Sequence, residues 1–211
     1  NVPDAYAEAF WKMRVWAKEE NSRNGPVMTV PEPVMLEIIN PLQRVLYDPV
    51  RNANPFFHLM ETVWMLAGSN DVTFVEWFNH RYREYADPDT DIVHGAYGHR
   101  WRNHFKRDQI QEVIRELRMN RESRRAVIGM WDPEVDCEFH NDVPCNTHIY
   151  FRYNTRRGVL DMTVCNRSND LVWGMLGANV VHMTYLQELI ARATGLDVGY
   201  YRVFTNNLHI Y

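Results

Sequence analysis

The chain has 211 residues, enough for one sizeable hydrophobic core, and its 45% hydrophobic and 24% charged residues are typical of a folded protein. Its formal net charge of −4 disfavours binding of duplex nucleic acid, although local arginines can still bind a small anion. No apolar run is long enough to span a bilayer, which argues against a membrane partner. The three cysteines are widely spaced and no signal peptide is recognised, so we expect a reducing, cytoplasmic location.

Helices are predicted where apolar residues recur at helical spacing between capping and breaking residues. Asn54 and Pro55 are typical of an N-cap and a first helical position, and Gly68 ends the same pattern. The longest helical pattern ends at Gly195. The predicted helices cover residues 6–18, 55–67, 71–85, 109–119 and 179–194.

Strands are predicted where β-branched and aromatic residues concentrate between turn residues. Residues 27–47 are strand-like but interrupted by prolines, and residues 87–98 read as a loop. Arg156-Arg157-Gly158 is predicted to turn two strands into a hairpin. Further strands are expected at 126–131, 149–153, 160–165 and 200–205. Because helices and strands do not alternate strictly, we predict an α+β (mixed α/β) fold around one sheet.

Cys145 follows a polar loop and lies between two predicted strands. The preceding Pro144 restricts the backbone and helps to fix the direction of the thiol. A nucleophilic thiol also needs a lowered pKa and partial access to solvent, and nearby arginines could supply the positive field. By itself, however, a lone cysteine is more often a small buried residue, and no local signature of a papain-like Cys/His pair is present.

A metal site is a further possibility, since the chain has nine histidines. Cys137, His140, Cys145 and His148 fall close together in the sequence, but their spacing matches no common zinc pattern. We therefore predict that the protein binds no metal.

Two arginine motifs are candidates for phosphate binding. Ser123-Arg124-Arg125 lies between a helix and a strand, and Arg167-Ser168 follows a strand. Guanidinium groups match phosphate oxygens, and a serine hydroxyl adds another donor. Each motif alone is more often solvated surface charge, so its interpretation as a phosphate site depends on its occurrence together with Cys145.

Six motifs in chain order resemble the thymidylate synthase family, which includes the pyrimidine nucleotide hydroxymethylases. They are spread over most of the chain, and their joint order is more specific than any one of them. The motifs are E-x-x-W-x-L-x-G-x-N at 61–70, G-x-Y-G-x-x-W-R at 95–102, S-R-R at 123–125, Pro144-Cys145, R-S-x-D at 167–170 with Gly174 and Asn179, and H-x-Y at 209–211.

The chain departs from the family pattern at several positions. Asn146 replaces the histidine that usually follows the nucleophile, and Asn206-Asn207 replaces the usual Gly-Asp. One residue is inserted between Gly174 and Asn179.

The resemblance implies that Cys145 attacks C6 of a pyrimidine nucleoside 5′-monophosphate, which makes C5 nucleophilic toward an activated folate. Glu61 and Tyr97 would organise waters and proton transfers, and Asp170 would contact the folate pterin and the base region. Burial of Glu61 on its apolar helix would raise its pKa and suit it to proton transfer. The implied substrate ligands are Arg23, Arg167 and Ser168 for the phosphate, Arg124 and Arg125 for the phosphate of the partner subunit's site, Asn179 for the base, and His209 and Tyr211 for the sugar.

The implied co-substrate is 5,10-methylenetetrahydrofolate, with Arg51, Tyr82, Tyr85 and Asp170 as candidate contacts. Tyr82 and Tyr85 stand where the family has two tryptophans, and a hydroxyl there could order a water near the reactive methylene. This favours a hydroxymethylase over a thymidylate synthase proper, and a nucleotide-binding protein without turnover is the third alternative. Asn179 can accept from N3–H and donate to O4 of uracil, which favours deoxyuridylate over deoxycytidylate.

The fold implied by the resemblance is a mixed sheet flanked by helices, with two sheets stacked across a homodimer that shares its active sites. We expect one thymidylate synthase-like catalytic domain over residues 1–211. Since the sequence stops at Tyr211, we also expect it to lack the family's C-terminal tail, which closes over the folate.

Overall fold

The computed structural model describes residues 1–22 and 25–211, in which helices pack against two β-sheets. The helices are α1 (Val2–Trp16), α2 (Pro55–Leu66), α3 (Thr73–Glu76), α4 (Tyr97–Arg102), α5 (Gln109–Met119) and α6 (Asn179–Ala193), with a 3₁₀ helix at His80–Tyr85 and a π-helix at Leu171–Ala178. The strands are β1 (Lys18–Ser22), β2 (Gly25–Thr29), β3 (Val34–Ile38), β4 (Val127–Gly129), β5 (Asn146–Asn154), β6 (Val159–Asn166), β7 (Asn169–Asp170), β8 (Asp197–Thr205) and β9 (Leu208–Ile210).

The larger sheet has the strand order β3-β8-β6-β5-β4 and is mixed, since β6 and β8 run parallel and the other neighbours antiparallel. The smaller sheet has the order β1-β2-β9-β7, with β7 and β9 parallel. Helix α6 is fastened to the larger sheet by the buried Gln187 amide, which donates to the carbonyl oxygens of Leu160 and Tyr200. The predicted α+β class, a mixed sheet flanked by helices, is confirmed.

The predicted helices and strands agree best with the structure where capping or turn residues mark their ends. The helix predicted at 109–119 has those bounds, and Asn54 caps α2 by accepting from the Phe57 N–H. The turn at Arg156-Arg157-Gly158 is confirmed, with Gly158 in the left-handed region at φ 70°. The helix predicted at 71–85 is wrong, because Asn79 caps a new 3₁₀ helix and separates it from α3.

Other expectations also needed correction. The first helix ends at Trp16 rather than residue 18, and the chain goes directly into β1. Helix α4 begins inside the predicted loop at Tyr97, and the short strand β9 was not predicted. The expected single sheet is two sheets, since the edges of β2 and β7 pair with β9 instead of with the larger sheet.

Arg100 of α4 is fully buried and is the centre of a polar network. Its guanidinium donates to both carboxylate oxygens of Asp136, over 2.6 and 3.1 Å. Asp136 also accepts from the backbone N–H of Asp132, over 2.7 Å. Burial alone would raise the pKa of Asp136, but these donors and His94 outweigh it and lower the pKa. The ion pair fastens α4 to the segment that leads toward Cys145.

The π-helix covers the segment in which we expect one inserted residue, between Gly174 and Asn179. A π-helix closes i→i+5 hydrogen bonds, so each hydrogen bond spans one residue more than in an α-helix. The segment therefore accommodates the extra residue before α6 begins at Asn179.

The Asp136→Asn variant tests the buried ion pair, because it removes one charge and leaves Arg100 buried without a counter-ion. We expect the free energy of unfolding to fall by about 3–5 kcal/mol in urea denaturation. The exposed Glu134 provides a matched control, and Glu134→Gln should change stability by less than about 0.5 kcal/mol. Equal stabilities of the two variants would contradict the assigned role of the pair.

Candidate active site

A cleft of about 940 Å³ lies between α2, the 3₁₀ helix, the π-helix and β9. A second cavity, of about 540 Å³ between α1 and β3, contains none of the predicted residues that the structure describes. The cleft brings together twelve of them: Arg51, Glu61, Tyr82, Tyr85, Tyr97, Cys145, Arg167, Ser168, Asp170, Asn179, His209 and Tyr211.

Cys145 is half-buried at the entrance to β5, and Arg167 holds the segment that carries it. The backbone N–H of Arg167 donates to the Cys145 carbonyl over 2.9 Å. Its guanidinium donates to the carbonyl oxygens of Pro144 and Val143, both over 3.0 Å. A guanidinium has five N–H donors, so donors remain for an anionic ligand after these two bonds. The cation therefore fixes the nucleophile loop and lines the same cleft as Cys145.

Tyr97 is the first residue of α4 and is buried beside Cys145. Burial, together with the nearby Cys145 and Asp142, raises the pKa of Tyr97 well above its usual value. The phenol consequently stays neutral and acts as a hydrogen-bond donor at physiological pH.

Glu61 of α2 is 5% exposed, and its Oε2 lies 3.0 Å from Nε2 of His182 on α6, without hydrogen-bond alignment. Burial alone would raise the pKa of Glu61, but His182 and the Tyr82 hydroxyl outweigh it and lower the pKa. The prediction that Glu61 is buried is confirmed, whereas the predicted rise of its pKa is wrong. No sequence pattern indicates the contact with His182, because it joins two helices that lie far apart in the chain.

The two tyrosines that replace tryptophans belong to the 3₁₀ helix. The Tyr82 ring makes edge contacts with Trp64, at 5.6 Å between centroids, and with Tyr85, at 5.3 Å. Burial, with further contributions from Glu61 and Asp142, raises the pKa of both phenols. They are therefore neutral donors on the same wall of the cleft as Glu61.

A polar cluster forms where β7 and β9 run parallel. The Ser168 hydroxyl lies 3.5 Å and the Asn207 side-chain oxygen 3.1 Å from Nδ1 of His209. The Tyr211 ring stands edge-on to His209, with centroids 5.0 Å apart. The structure thus brings together the residues expected at the sugar and at one side of the phosphate.

Asn179 and Asp170 lie at the two ends of the π-helix. The Asn179 amide donates to the side-chain oxygen of Asn169 over 3.3 Å. Asp170 caps the π-helix by accepting from the Trp173 N–H, and its second oxygen, Oδ2, is buried without a hydrogen-bond partner among the described residues. A buried acceptor of this kind is suited to an N–H donor of a ligand.

Arg51 and Trp173 form an aromatic and cationic rim at the cleft. The Arg51 guanidinium lies over the Trp173 ring, 4.1 Å from its centroid, and donates to the Val172 carbonyl over 3.0 Å. A flat aromatic surface beside a cation suits a planar, anionic ligand.

Of the other predicted phosphate ligands, two lie outside the cleft and one lies outside the described residues. Arg124 and Arg125 are exposed outside the cleft, and Arg125 pairs with Glu116 of α5 at 3.0 Å. Arg23 lies outside the described residues. The prediction that Arg124 and Arg125 reach a partner's site stays a prediction.

His58, Asp142 and Trp173 are among the cleft residues that the sequence analysis missed. His58 could have been found, because it precedes Glu61 by three residues on a helix and so shares its face. Asp142 lies on an irregular segment, where no periodicity indicates the direction of a side chain.

One group of metal-type ligands exists among the described residues: Asp87, His94 and His140. The two imidazole rings stack at 3.5 Å and 5°. Because ring nitrogens ligate in their own plane, two parallel stacked rings in this geometry do not direct their lone pairs at one ion. The expected absence of a metal stays a prediction.

The sequence pattern of one protein family, thymidylate synthase, matches residues 51–211. The chain belongs to the thymidylate synthase family. Similar proteins include the deoxyuridylate hydroxymethyltransferase of Pseudomonas phage M6, 48% identical over 100% of this chain and 60% of that protein. The proteins of the same name from Bacillus phage SP01 and Delftia phage PhiW-14 are 36% and 34% identical, over 85% and 84% of this chain and 49% and 52% of theirs. The chain thus spans about half to three fifths of these relatives' length.

None of the helices in the described ranges has the length and apolar character that crossing a bilayer requires.

Proposed function

We propose that this chain transfers a one-carbon unit from 5,10-methylenetetrahydrofolate to C5 of deoxyuridine 5′-monophosphate and releases the 5-hydroxymethyl product. The observation that carries the proposal is the meeting of Cys145, Arg167 and Glu61 in one cleft that also contains neutral phenols. The names of the phage relatives, deoxyuridylate hydroxymethyltransferases, support the same reaction.

The nucleotide is held by three groups of residues. Arg167 and Ser168 bind the phosphate through charge-assisted and hydroxyl hydrogen bonds. His209 and Tyr211 bind the sugar, and Asn179 reads the base by accepting from N3–H and donating to O4. In this pose C6 of the pyrimidine would face Cys145, which lines the same cleft.

Catalysis begins when the Cys145 thiolate adds to C6 of the base, which produces an enolate and makes C5 nucleophilic. The folate, when bound, supplies the one-carbon unit in electrophilic form. Asp170, with its buried acceptor oxygen, and the Arg51–Trp173 rim are suited to hold it. Tyr97 donates a hydrogen bond near the reacting atoms, and Glu61 carries protons to and from water.

The product depends on whether water reaches the exocyclic methylene on C5. Tyr82 contributes a hydroxyl in contact with Glu61, so this wall of the cleft can order a water. The alternative, a thymidylate synthase proper, would exclude the water and release the 5-methyl nucleotide with dihydrofolate. Release of tetrahydrofolate with the hydroxymethyl nucleotide distinguishes the two.

We also propose that the active protein is a homodimer in the cytoplasm, where a reducing environment preserves the Cys145 thiol. Arg124 and Arg125 would then reach the phosphate of the partner's site, which accounts for their exposure outside the cleft of their own chain. One catalytic domain over residues 1–211 and no binding of duplex nucleic acid or membranes stay predictions.

The Cys145→Ser variant should lose nearly all turnover while it retains deoxyuridylate binding, because the hydroxyl is a much weaker nucleophile than a thiolate. Mass spectrometry of the nucleotide product and calorimetric binding provide the two measurements. Cys165→Ser is the control, since burial raises the pKa of that thiol and its loss should leave the chemistry intact. Full turnover by Cys145→Ser would remove the covalent mechanism.

The Asn179→Asp variant should shift preference from deoxyuridylate toward deoxycytidylate, because an ionised carboxylate only accepts and suits the N4 amino group. The measurement is a competition assay with both nucleotides at equal concentration. A wild type that prefers deoxycytidylate, or an unchanged ratio in the variant, would mean that Asn179 does not read the base.

Mixed dimers test whether Arg125 acts across an interface. Arg125→Ala and Cys145→Ser should each be impaired alone, but a refolded mixture should recover activity, since one site of each heterodimer is then intact. A mixture of Arg167→Ala and Cys145→Ser is the control and should recover none, because both residues serve the same chain's cleft. Equal behaviour of the two mixtures would argue against sharing.

A further inference from the structure

His182 lies behind Glu61 and is wholly buried, at 1% exposure. Its Nε2 is 3.0 Å from Glu61 Oε2, and the ring of His58 stands edge-on to it, with centroids 6.4 Å apart at 85°. We call these residues the His58–Glu61–His182 cluster. Glu61 and His58 line the cleft, whereas His182 does not, so it can influence the reaction only through its neighbours.

Packing alone does not account for an imidazole at this position. His182 Nδ1 is buried without a hydrogen-bond partner among the described residues, and an unsatisfied buried polar atom costs about 1–3 kcal/mol. An apolar side chain of similar volume would avoid this cost. The only charged or titratable side chain within ion-pair distance of His182, in the described part of the chain, is Glu61.

The groups that face Glu61 come from three elements. His58 lies on the same helix, His182 on α6, and the Tyr82 hydroxyl on the 3₁₀ helix. Burial, His182 and the more distant Arg51 lower the pKa of His58 to about 4, and Tyr82 is neutral. His182 is therefore the group in contact with Glu61 that offsets the burial of its carboxylate.

On the basis of the proposed function, we propose that His182 is a positioning residue that keeps Glu61 as a carboxylate. The carboxylate then accepts a proton from the water that forms the hydroxymethyl group. Water oxygen bonds to the exocyclic methylene, and one water proton passes to Glu61. The electron pair of the methylene double bond moves to O4 as an enolate. Collapse of the enolate restores the C5–C6 double bond and expels the Cys145 thiolate.

Two variants test this role. His182→Phe keeps the volume but removes the partner of Glu61, so burial acts unopposed and Glu61 takes up a proton at higher pH. Near pH 6 we expect kcat for the hydroxymethyl product to fall roughly 10- to 100-fold, with KM for deoxyuridylate changed less than about twofold, and to recover toward pH 9. His182→Gln, which retains an N–H donor, should recover part of the loss.

Infrared spectroscopy of the protein without ligands gives a readout that is independent of turnover. His182→Phe should show a protonated carboxyl band near neutral pH, and the band should be absent from His182→Phe/Glu61→Gln. His99→Phe, a half-buried histidine of α4 outside the cleft, is the control and should show neither the band nor a shifted pH profile.

The outcomes separate the two proposals. A wild-type pH profile in His182→Phe, or a loss that is equal at every pH, would overturn the role of His182, and so would the absence of the carboxyl band. If His182→Phe does not fold, the pH profile of His182→Gln decides, and no shift there overturns the role. A wild type that makes methylated nucleotide would refute the proposed function, while the infrared result would still report on the pair.

Discussion

The ion pair of Arg100 and Asp136 is the constraint on which the cleft depends. A fully buried guanidinium must keep its counter-ion, so α4 and the segment toward the nucleophile cannot separate without a large loss of stability. On the opposite side, the absence of a side chain at Gly98 lets α4 pack directly on α2, because a Cβ atom there would collide with the Met65 carbonyl. Tyr97, next to this contact, is thereby held between the helix that carries Glu61 and the loop that carries the thiol.

The cleft holds several titratable groups, and the fold sets the protonation state of each differently. Burial keeps the phenols of Tyr82 and Tyr97 neutral, so they serve as donors. Glu61 is equally buried but ionised, because an imidazole contacts it. Donors and acceptor thus coexist within one small volume, and their roles follow from what each side chain contacts.

Structural features that a few adjacent residues determine were predictable from the sequence. Helices with clear caps, such as α2 and α5, and the turn at Gly158 were correct because a few adjacent residues fix them. The motifs also indicated which residues meet in the cleft. Three contacts were not predictable: Glu61 with His182, the Arg167 guanidinium with the carbonyls of the nucleophile loop, and the pairing of β9. Each joins positions that are distant in the chain and depends on packing. The pKa of Glu61 was predicted in the wrong direction for the same reason, because that direction depends on the contact with His182.

In the π-helix at Leu171–Ala178, the number of residues in the segment is linked to the directions in which its side chains point. In an ordinary α-helix each residue advances the side-chain direction by about 100°. The wider i→i+5 turn takes up a residue while Asp170 and Asn179 both still line the cleft. A departure from the expected family length in this segment therefore displaces neither end of it. The type of helix, rather than a replaced side chain, absorbs the change of chain length beside the cleft.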